Sequence, residues 1–190
     1  MGLIPLLIVA FVVLGVLIYV ATIYNGLVAL RNDIDKAWAN IDVLLKQRHD
    51  EVPRVVDVCK GYMQYERETL QTLTEARAKY ALAATVDQKA LASGNLSASV
   101  QKVFAVGENY PALQANVSFL ELQKRITELE SQIADRREFY NDSINVFNTR
   151  IQEMPDALLA GIMGLKPRAM FQVSASEKAT VNIALTPTRT

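Results

Sequence analysis

An uninterrupted apolar run constrains this chain more than any other feature. It extends from Leu3 to Tyr24, 22 residues without a charged side chain, and reads LIPLLIVAFVVLGVLIYVATIY. A helix rises 1.5 Å per residue, so this run would be ~33 Å long and would cross a hydrocarbon core of about 30 Å. Pro5 falls in the first turn, where a helix tolerates it. The run therefore predicts a transmembrane helix, with the lipid bilayer as its partner.

The alternatives to an anchor are a signal peptide and a buried helix of a soluble domain. A signal peptide has basic residues before a shorter apolar core and a small-residue cleavage site, which this run does not show. Basic residues instead follow the run, with Arg31 and Lys36 the nearest. By the positive-inside rule, this distribution predicts a cytoplasmic location for the part of the chain after the anchor.

Charge and composition exclude several function classes. All 20 basic and 20 acidic side chains lie at or after Arg31 and sum to zero, so no positive excess is available for a nucleic-acid backbone. With a single cysteine, Cys59, and a single histidine, His49, the chain lacks an intrachain disulfide and the usual zinc ligand set. No catalytic triad or dyad is recognisable. We therefore expect no nucleic-acid partner, no metal, no cofactor and no catalysis.

The spacing of apolar residues after the anchor predicts helices. Apolar residues recur at steps of three and four over residues 27–44, which is typical of a helical seam, so the membrane helix is expected to run on unbroken. Asp50 followed by Pro53 predicts its end and the start of a second helix. A ladder over residues 52–84 predicts that the second helix is long and reaches Ala92.

The second half of the chain repeats this pattern. Residues 93–95, Ser-Gly-Asn, predict an interruption, and residues 99–108 predict a short helix. Another long seam covers residues 119–154, where Pro155 ends it. Residues 156–163 predict one or two further turns, stopped by Gly164. The second helix would be longer than the first outside the membrane, so it bends near residues 80–86, or the bundle tilts, or neighbouring subunits leave space for the overhang. We favour a bend together with packing between subunits.

These elements predict an all-α fold with three parts. The parts are a transmembrane anchor (1–24), a helical bundle (25–171) and a flexible tail (172–190), whose residues are small, polar and without period. Three long apolar seams joined by short connections are typical of an elongated antiparallel bundle with coiled-coil-like packing.

Several motifs resemble those of one known family. The segment from Tyr24 to Pro53 reads YNGLVALRNDIDKAWANIDVLLKQRHDEVP and directly follows the apolar run. Later motifs follow in the order KGY, EAR, YPALQAN, RREFYN, FNTRI and GLKP. Together they resemble the LemA family over residues 24–171. The resemblance implies a single-span protein of the bacterial inner membrane, with an elongated helical domain and no established enzymatic activity.

Three charged side chains occupy seam positions where an apolar residue is expected, namely Glu66, Arg77 and Arg136. In one interpretation these long side chains extend to water. In the other, Glu66 forms an ion pair with an arginine of its own or a facing helix, which would penalise wrong helix registers.

Four amide side chains form a second candidate contact on the last long helix. They recur at steps of four, three and four, at Asn141, Asn145, Asn148 and Gln152. The stripe is either solvated surface or a contact between subunits, because amides in a partly buried interface specify register.

The features favour a membrane-anchored, non-catalytic helical bundle that assembles with itself as a scaffold at the bilayer. The alternative is a signalling or adaptor protein in which the continuous first helix transmits a change from the membrane. We expect a homo-oligomer; the sequence names no other protein partner.

Overall fold

The computed structural model describes residues 2–171, and this part of the chain is all-α, as predicted. The six helices are α1 (Leu3–Lys60), α2 (Arg67–Leu82), α3 (Val86–Gly107), α4 (Pro111–Gln114), α5 (Val117–Arg150) and α6 (Asp156–Ile162). No strand occurs among the described residues. The tail predicted for residues 172–190 lies outside them.

Helix α1 begins with the apolar run and continues without a break for 58 residues. The run is long and apolar enough to cross a membrane, and its large side chains are exposed, as at Phe11 and Leu14. One face of the helix then becomes buried, beginning with Ile23 and Leu27. The predicted continuation of the membrane helix into the rest of the protein is therefore confirmed.

The predicted end of α1 near Asp50 is wrong, because the helix passes through Pro53 and ends at Lys60. Proline has no N–H group, so the carbonyl of His49 loses its helical partner. The Arg77 side chain supplies a replacement, since its Nε atom donates to the His49 carbonyl oxygen over 3.2 Å. Burial of Val52, Val55 and Cys59 beyond this point also favours continuing the helix.

The prediction that the following residues form one long second helix is also wrong. Its residues are divided among the end of α1, a connection at residues 61–66, helix α2 and the start of α3. A further break at residues 83–85 falls within the stretch where we expected a bend. Helix α3 begins there because Thr85 and Gln88 form a capping box, in which each side chain accepts from the other residue's backbone N–H.

The interruption predicted at Ser93, Gly94 and Asn95 does not occur, because all three residues lie inside α3. Ser93 and Gly94 are buried, as is Ser97 one turn later. Their small side chains permit close approach of neighbouring groups, and this packing outweighs their low helix propensity.

The described chain forms two compact units. Unit 1 comprises residues 2–41 and 136–170. Within it, α5 runs antiparallel to α1, because Arg150 lies beside Gly26 while the ring of Tyr140 lies 5.8 Å from that of Trp38. Its core is formed by Ile23, Leu27, Ile34, Ala37, Ile41, Tyr140, Ile144, Phe147, Ile151 and Ala160.

Unit 2 comprises residues 42–135 and Phe171. The side-chain contacts within it show that α1, α2, α3 and α5 alternate in direction, which short connections favour. Its core includes Leu45, Val52, Cys59, Leu73, Leu96, Val100, Val103, Phe119, Ile126, Leu129 and Ile133.

Helix α6 follows α5 after a short connection, close to the predicted turns at residues 156–163. Gly164 ends it with a φ of 65°, a conformation that favours glycine. The N–H of Leu165 donates to the carbonyl of Ala160 over 3.0 Å, which is the long bond of a Schellman motif. The predicted stop at Gly164 is therefore present.

Candidate functional site: a buried arginine in unit 2

The most unusual feature of unit 2 is a fully buried arginine. Arg48 is 0% exposed, although arginine is rarely buried without a partner. It lies on the buried face of α1, three residues after Leu45 and four before Val52, where a regular seam would place an apolar side chain. A charged group is therefore built into the core.

Helices α3 and α5 supply hydrogen-bond partners for the Arg48 guanidinium. Its Nη1 atom donates to Ser97 Oγ over 2.5 Å and to Glu130 Oε1 over 2.7 Å. Its Nη2 atom donates to Ser93 Oγ over 2.8 Å and to the Ser93 carbonyl oxygen over 3.2 Å. Ser97 Oγ in turn donates to Glu130 Oε2 over 3.0 Å. We call these four residues the Arg48 network.

The network joins three helices through charge-assisted hydrogen bonds. The Glu130 side chain is 25% exposed, so the ion pair lies at the edge of the core. Arg48 Nε is buried without a hydrogen-bond partner. Removing two charges from water costs several kcal/mol per ion, and the pair recovers this only with good geometry. The network therefore serves the specificity of helix packing more than total stability.

Two rings lie next to the network. His49 packs against Tyr80 with 5.6 Å between ring centroids, and its Nδ1 atom lies 3.1 Å from Asp50 Oδ1. Burial raises the pKa of the Tyr80 hydroxyl to about 12, and the negative charges of Asp42 and Asp50 act in the same direction. His49 Nε2 is buried without a hydrogen-bond partner.

The burial of Arg48 limits the chemistry that the network can perform. Arg48 is inaccessible to solvent, so a substrate cannot reach its guanidinium without opening the bundle. Among the described residues, no group of three or more His, Cys, Asp or Glu side chains is placed to hold a metal ion. The arrangement is suited to holding three helices in one register.

Among the described residues, the structure does not show the predicted ion pair between Glu66 and an arginine. Glu66 accepts hydrogen bonds of 3.4 Å from Thr69 and from the Tyr110 hydroxyl, and it precedes α2. Arg77 donates its Nε hydrogen bond to the His49 carbonyl oxygen, as described above. Arg136 is exposed on α5, in unit 1. The structure thus does not bring Glu66 and Arg77 together as an ion pair.

The amide stripe is divided between exposed and internal roles. The Asn148 amide donates to the Arg168 carbonyl over 2.9 Å and accepts from the Arg168 N–H over 2.8 Å, so it holds the segment after α6 on α5. Asn145 and Gln152 are exposed, and Asn141 is half-buried. Asn148 therefore has a role within unit 1, and a contact of the stripe between subunits stays a prediction.

The Arg48 network was not predicted from the sequence, although a signal for Arg48 was present. Continuing the α1 seam past Ile41 in steps of four, three and four reaches Leu45, Arg48 and Val52, which are all buried. Of the two serine partners, Ser93 was interpreted as part of a helix break. Glu130 gives no comparable signal, because acidic residues beside a seam are common on solvated helix faces.

The buried thiol of Cys59 provides a test of core integrity. Cys59 is 0% exposed, and burial raises the pKa of its thiol from 9.0 to about 11. The neutral thiol is the stable folded form, so its contribution is complete below pH 9 and is lost as pH rises towards 11. We expect the unfolding free energy to fall by about 1–3 kcal/mol more over this range than in a Cys59→Ala variant.

Urea unfolding at a series of pH values measures this difference, and Tyr80 titrates equally in both proteins. We also expect slow modification of native Cys59 by a thiol reagent near neutral pH and fast modification in urea. Fast modification of the folded protein would contradict the buried position.

Comparisons with known proteins agree with one another. The sequence model described as LemA family matches residues 37–185. Magnetosome protein MamQ 2 of Paramagnetospirillum magneticum is 25% identical, over 84% of this chain and 70% of that protein. Protein LemA of Metamycoplasma hominis is 26% identical, over 83% of this chain and 73% of that protein. Magnetosome protein MamQ of Magnetospirillum gryphiswaldense is 22% identical, over 84% and 70% respectively.

Proposed function

Because this chain belongs to the LemA family, a family of helical proteins, we propose that it is a single-span membrane anchor carrying a non-catalytic scaffold that assembles with copies of itself. The observation that carries this proposal is α1, one helix that includes both the apolar run and the closed Arg48 network. A rigid, closed bundle attached directly to an anchor is suited to holding positions at a bilayer.

The anchor places the protein in the bacterial inner membrane in this proposal. None of the most hydrophobic 18-residue stretch of the apolar run is buried inside the protein, so its surface is free to contact lipid. Arg31 and Lys36 follow the run on α1 and are exposed, which supports a cytoplasmic location for the two units. A reporter fused after Thr190 tests this orientation, and reporter activity specific to the periplasm would contradict it.

The proposal of a non-catalytic role is supported by the partners of the buried charged groups. The Arg48 guanidinium is occupied by side chains of the same unit, and Arg77 by a backbone carbonyl. The Arg48 guanidinium thus binds groups of its own unit instead of facing an open cleft. The names of the relatives specify no reaction either.

A groove in unit 1 is our candidate surface for self-assembly. It has a volume of about 420 Å³ and lies between α1 and α5, lined in part by Leu30, Ala37, Phe139 and Val146. Phe139 is 55% exposed and Val146 is 49% exposed. Large exposed apolar side chains along one groove are typical of a protein contact surface. Lys36 on one side and Asp142 on the other also permit ion pairs between copies.

The amide stripe lies on the other flank of α5 and is the less suitable surface. Part of that flank already carries the segment held by Asn148. Val146 and the adjacent Asn145 point in directions about 100° apart around the helix, so they distinguish the two flanks.

Cysteine crosslinking tests which flank meets another copy. We expect Val146→Cys to be joined between copies by a short bis-maleimide in the membrane, whereas Asn145→Cys gives little product. The two variants are adjacent and exposed, so each controls for the accessibility of the other. Efficient crosslinking through Asn145→Cys alone would contradict the groove and favour the amide stripe.

The alternative function is an adaptor that transmits a change from the membrane, and the continuity of α1 also favours it. Light scattering of the protein in detergent separates the two. A defined assembly of more than two copies supports the scaffold, whereas a monomer or dimer supports the adaptor.

A further inference from the structure

We propose that α6 lies in the bilayer interface beside the transmembrane helix, with Met154, Leu158 and Ile162 in contact with lipid acyl chains. We call these three side chains the α6 strip. This inference rests on the proposed anchor, and it adds a second lipid contact that the apolar run does not provide.

The end of α5 lies at the level where the apolar run ends. A Cβ atom added to Gly26 would lie 3.6 Å from the Arg150 guanidinium, so these two positions are adjacent. Gly26 is only two residues, or about 3 Å of helix, beyond Tyr24. Arg150 Nε also donates to Asp156 Oδ2 over 2.7 Å, which fixes the start of α6 at the same level.

We infer that the segment between Arg150 and Arg168 lies on the membrane side of this level. Because α5 is antiparallel to α1, it approaches the apolar run as it nears Arg150. The chain returns at Arg168, whose Nη1 atom donates to Asp35 Oδ1 over 2.6 Å. Asp35 lies nine residues beyond Gly26, or about 14 Å farther from the apolar run. Helix α6 lies in this segment, between the contacts of Arg150 and Arg168.

The α6 strip is exposed although its residues are apolar. Met154 is 69% exposed, Leu158 is 63% exposed and Ile162 is 83% exposed. Their spacing of four residues places Leu158 and Ile162 on one face of α6, while Asp156 and Ala160 on other faces are buried. An exposed apolar face of this kind can enter the interface of a bilayer.

The bilayer is the occupant that the position of the strip favours. The strip begins within a few residues of Arg150, which is itself adjacent to the end of the apolar run. Lys166 is exposed just after α6, where its ammonium group can contact headgroup phosphates. The orientation of the strip is held by the Arg150–Asp156 and Asn148–Arg168 contacts, so lipid contact requires no rearrangement.

Fluorescence quenching by lipid tests the proposal in the full-length protein. Leu158→Cys and Ile162→Cys are labelled with an environment-sensitive fluorophore and reconstituted in vesicles of phosphatidylcholine and phosphatidylglycerol. The native Cys59 stays in place, because it is buried and reacts slowly. We expect vesicles with brominated acyl chains to reduce the fluorescence of both labels by about two-fold or more.

Two control variants distinguish contact with lipid at the α6 strip from the other possible outcomes. Phe139→Cys is the matched control, because Phe139 is similarly exposed and apolar but lies eleven residues before Arg150, about 16 Å farther along α5. It stays unquenched even if copies associate there, since only lipid carries bromine. Leu14→Cys reports the anchor.

Quenching at Leu14, Leu158 and Ile162 but not at Phe139 supports the proposal. Quenching at Leu14 alone overturns it and leaves the anchor intact, and it would indicate water or a protein partner at the α6 strip. No quenching at Leu14 overturns both the anchor and this inference. Circular dichroism confirms that each labelled variant is folded, and Met154→Cys replaces any that is not.

Discussion

Replacing Glu130 with leucine is expected to lower the free energy of unfolding by about 3 kcal/mol, because the buried Arg48 guanidinium then loses its only negative partner in the network. The change also removes the acceptor of the Ser97 hydroxyl. Urea unfolding in detergent, followed by the helical circular dichroism signal, measures the loss.

Two further variants separate charge from packing. Glu130→Gln keeps hydrogen-bonding capacity but removes the negative charge, so we expect a smaller loss than for Glu130→Leu. Combining Arg48→Met with Glu130→Leu removes both charges, and we expect the double variant to be more stable than Glu130→Leu alone. Additive losses in the double variant would show that Arg48 and Glu130 do not act as a pair.

Replacing Pro53 with alanine is expected to raise the free energy of unfolding by about 1–2 kcal/mol. Proline in a helix interior costs ~3 kcal/mol relative to alanine, and part of this is offset by its more restricted unfolded chain and by the Arg77 hydrogen bond. Alanine restores an N–H group opposite the His49 carbonyl. Thermal or urea unfolding measures the gain, and a loss of stability would contradict this account of Pro53.

The role of Arg77 is tested by substituting it both in the native protein and in the Pro53→Ala variant. Arg77→Met in the native background leaves the His49 carbonyl without its donor and should cost about 1–2 kcal/mol. In the Pro53→Ala background the carbonyl has a helical partner again, so the same substitution should cost less. Equal costs in the two backgrounds would show that Arg77 acts elsewhere.

The sequence was sufficient to predict the fold class and the continuation of the apolar run into a longer helix, because long apolar seams report burial directly. It misplaced boundaries where a distant residue decides the outcome. Pro53 was interpreted as a helix start, and only the contact with Arg77, 24 residues later, shows how α1 continues through it. The Ser-Gly-Asn segment was interpreted as a break for the same reason, since its partner Arg48 lies on another helix.

The candidate site was less predictable than the fold. Glu66 and Arg77 were singled out from their spacing, but Glu66 lies before α2, and their partners include a tyrosine hydroxyl and a backbone carbonyl, which spacing does not reveal. Asn148 was part of a recognised stripe, yet its partner is the backbone of Arg168. A periodic pattern identifies a face of a helix, whereas the partner of that face depends on tertiary packing.

The unbroken course of α1 constrains how the length of this protein can change. Each inserted residue turns everything beyond it by about 100° around the helix axis, so a single insertion after Leu30 would turn Ile34 and Ala37 away from the buried face that carries Ile23 and Leu27. An insertion of seven residues restores the orientation to within ~20°. Length variation in this helix is therefore tolerated in heptad increments, and the loops between α2, α3 and α4 are the places where single residues can be gained or lost.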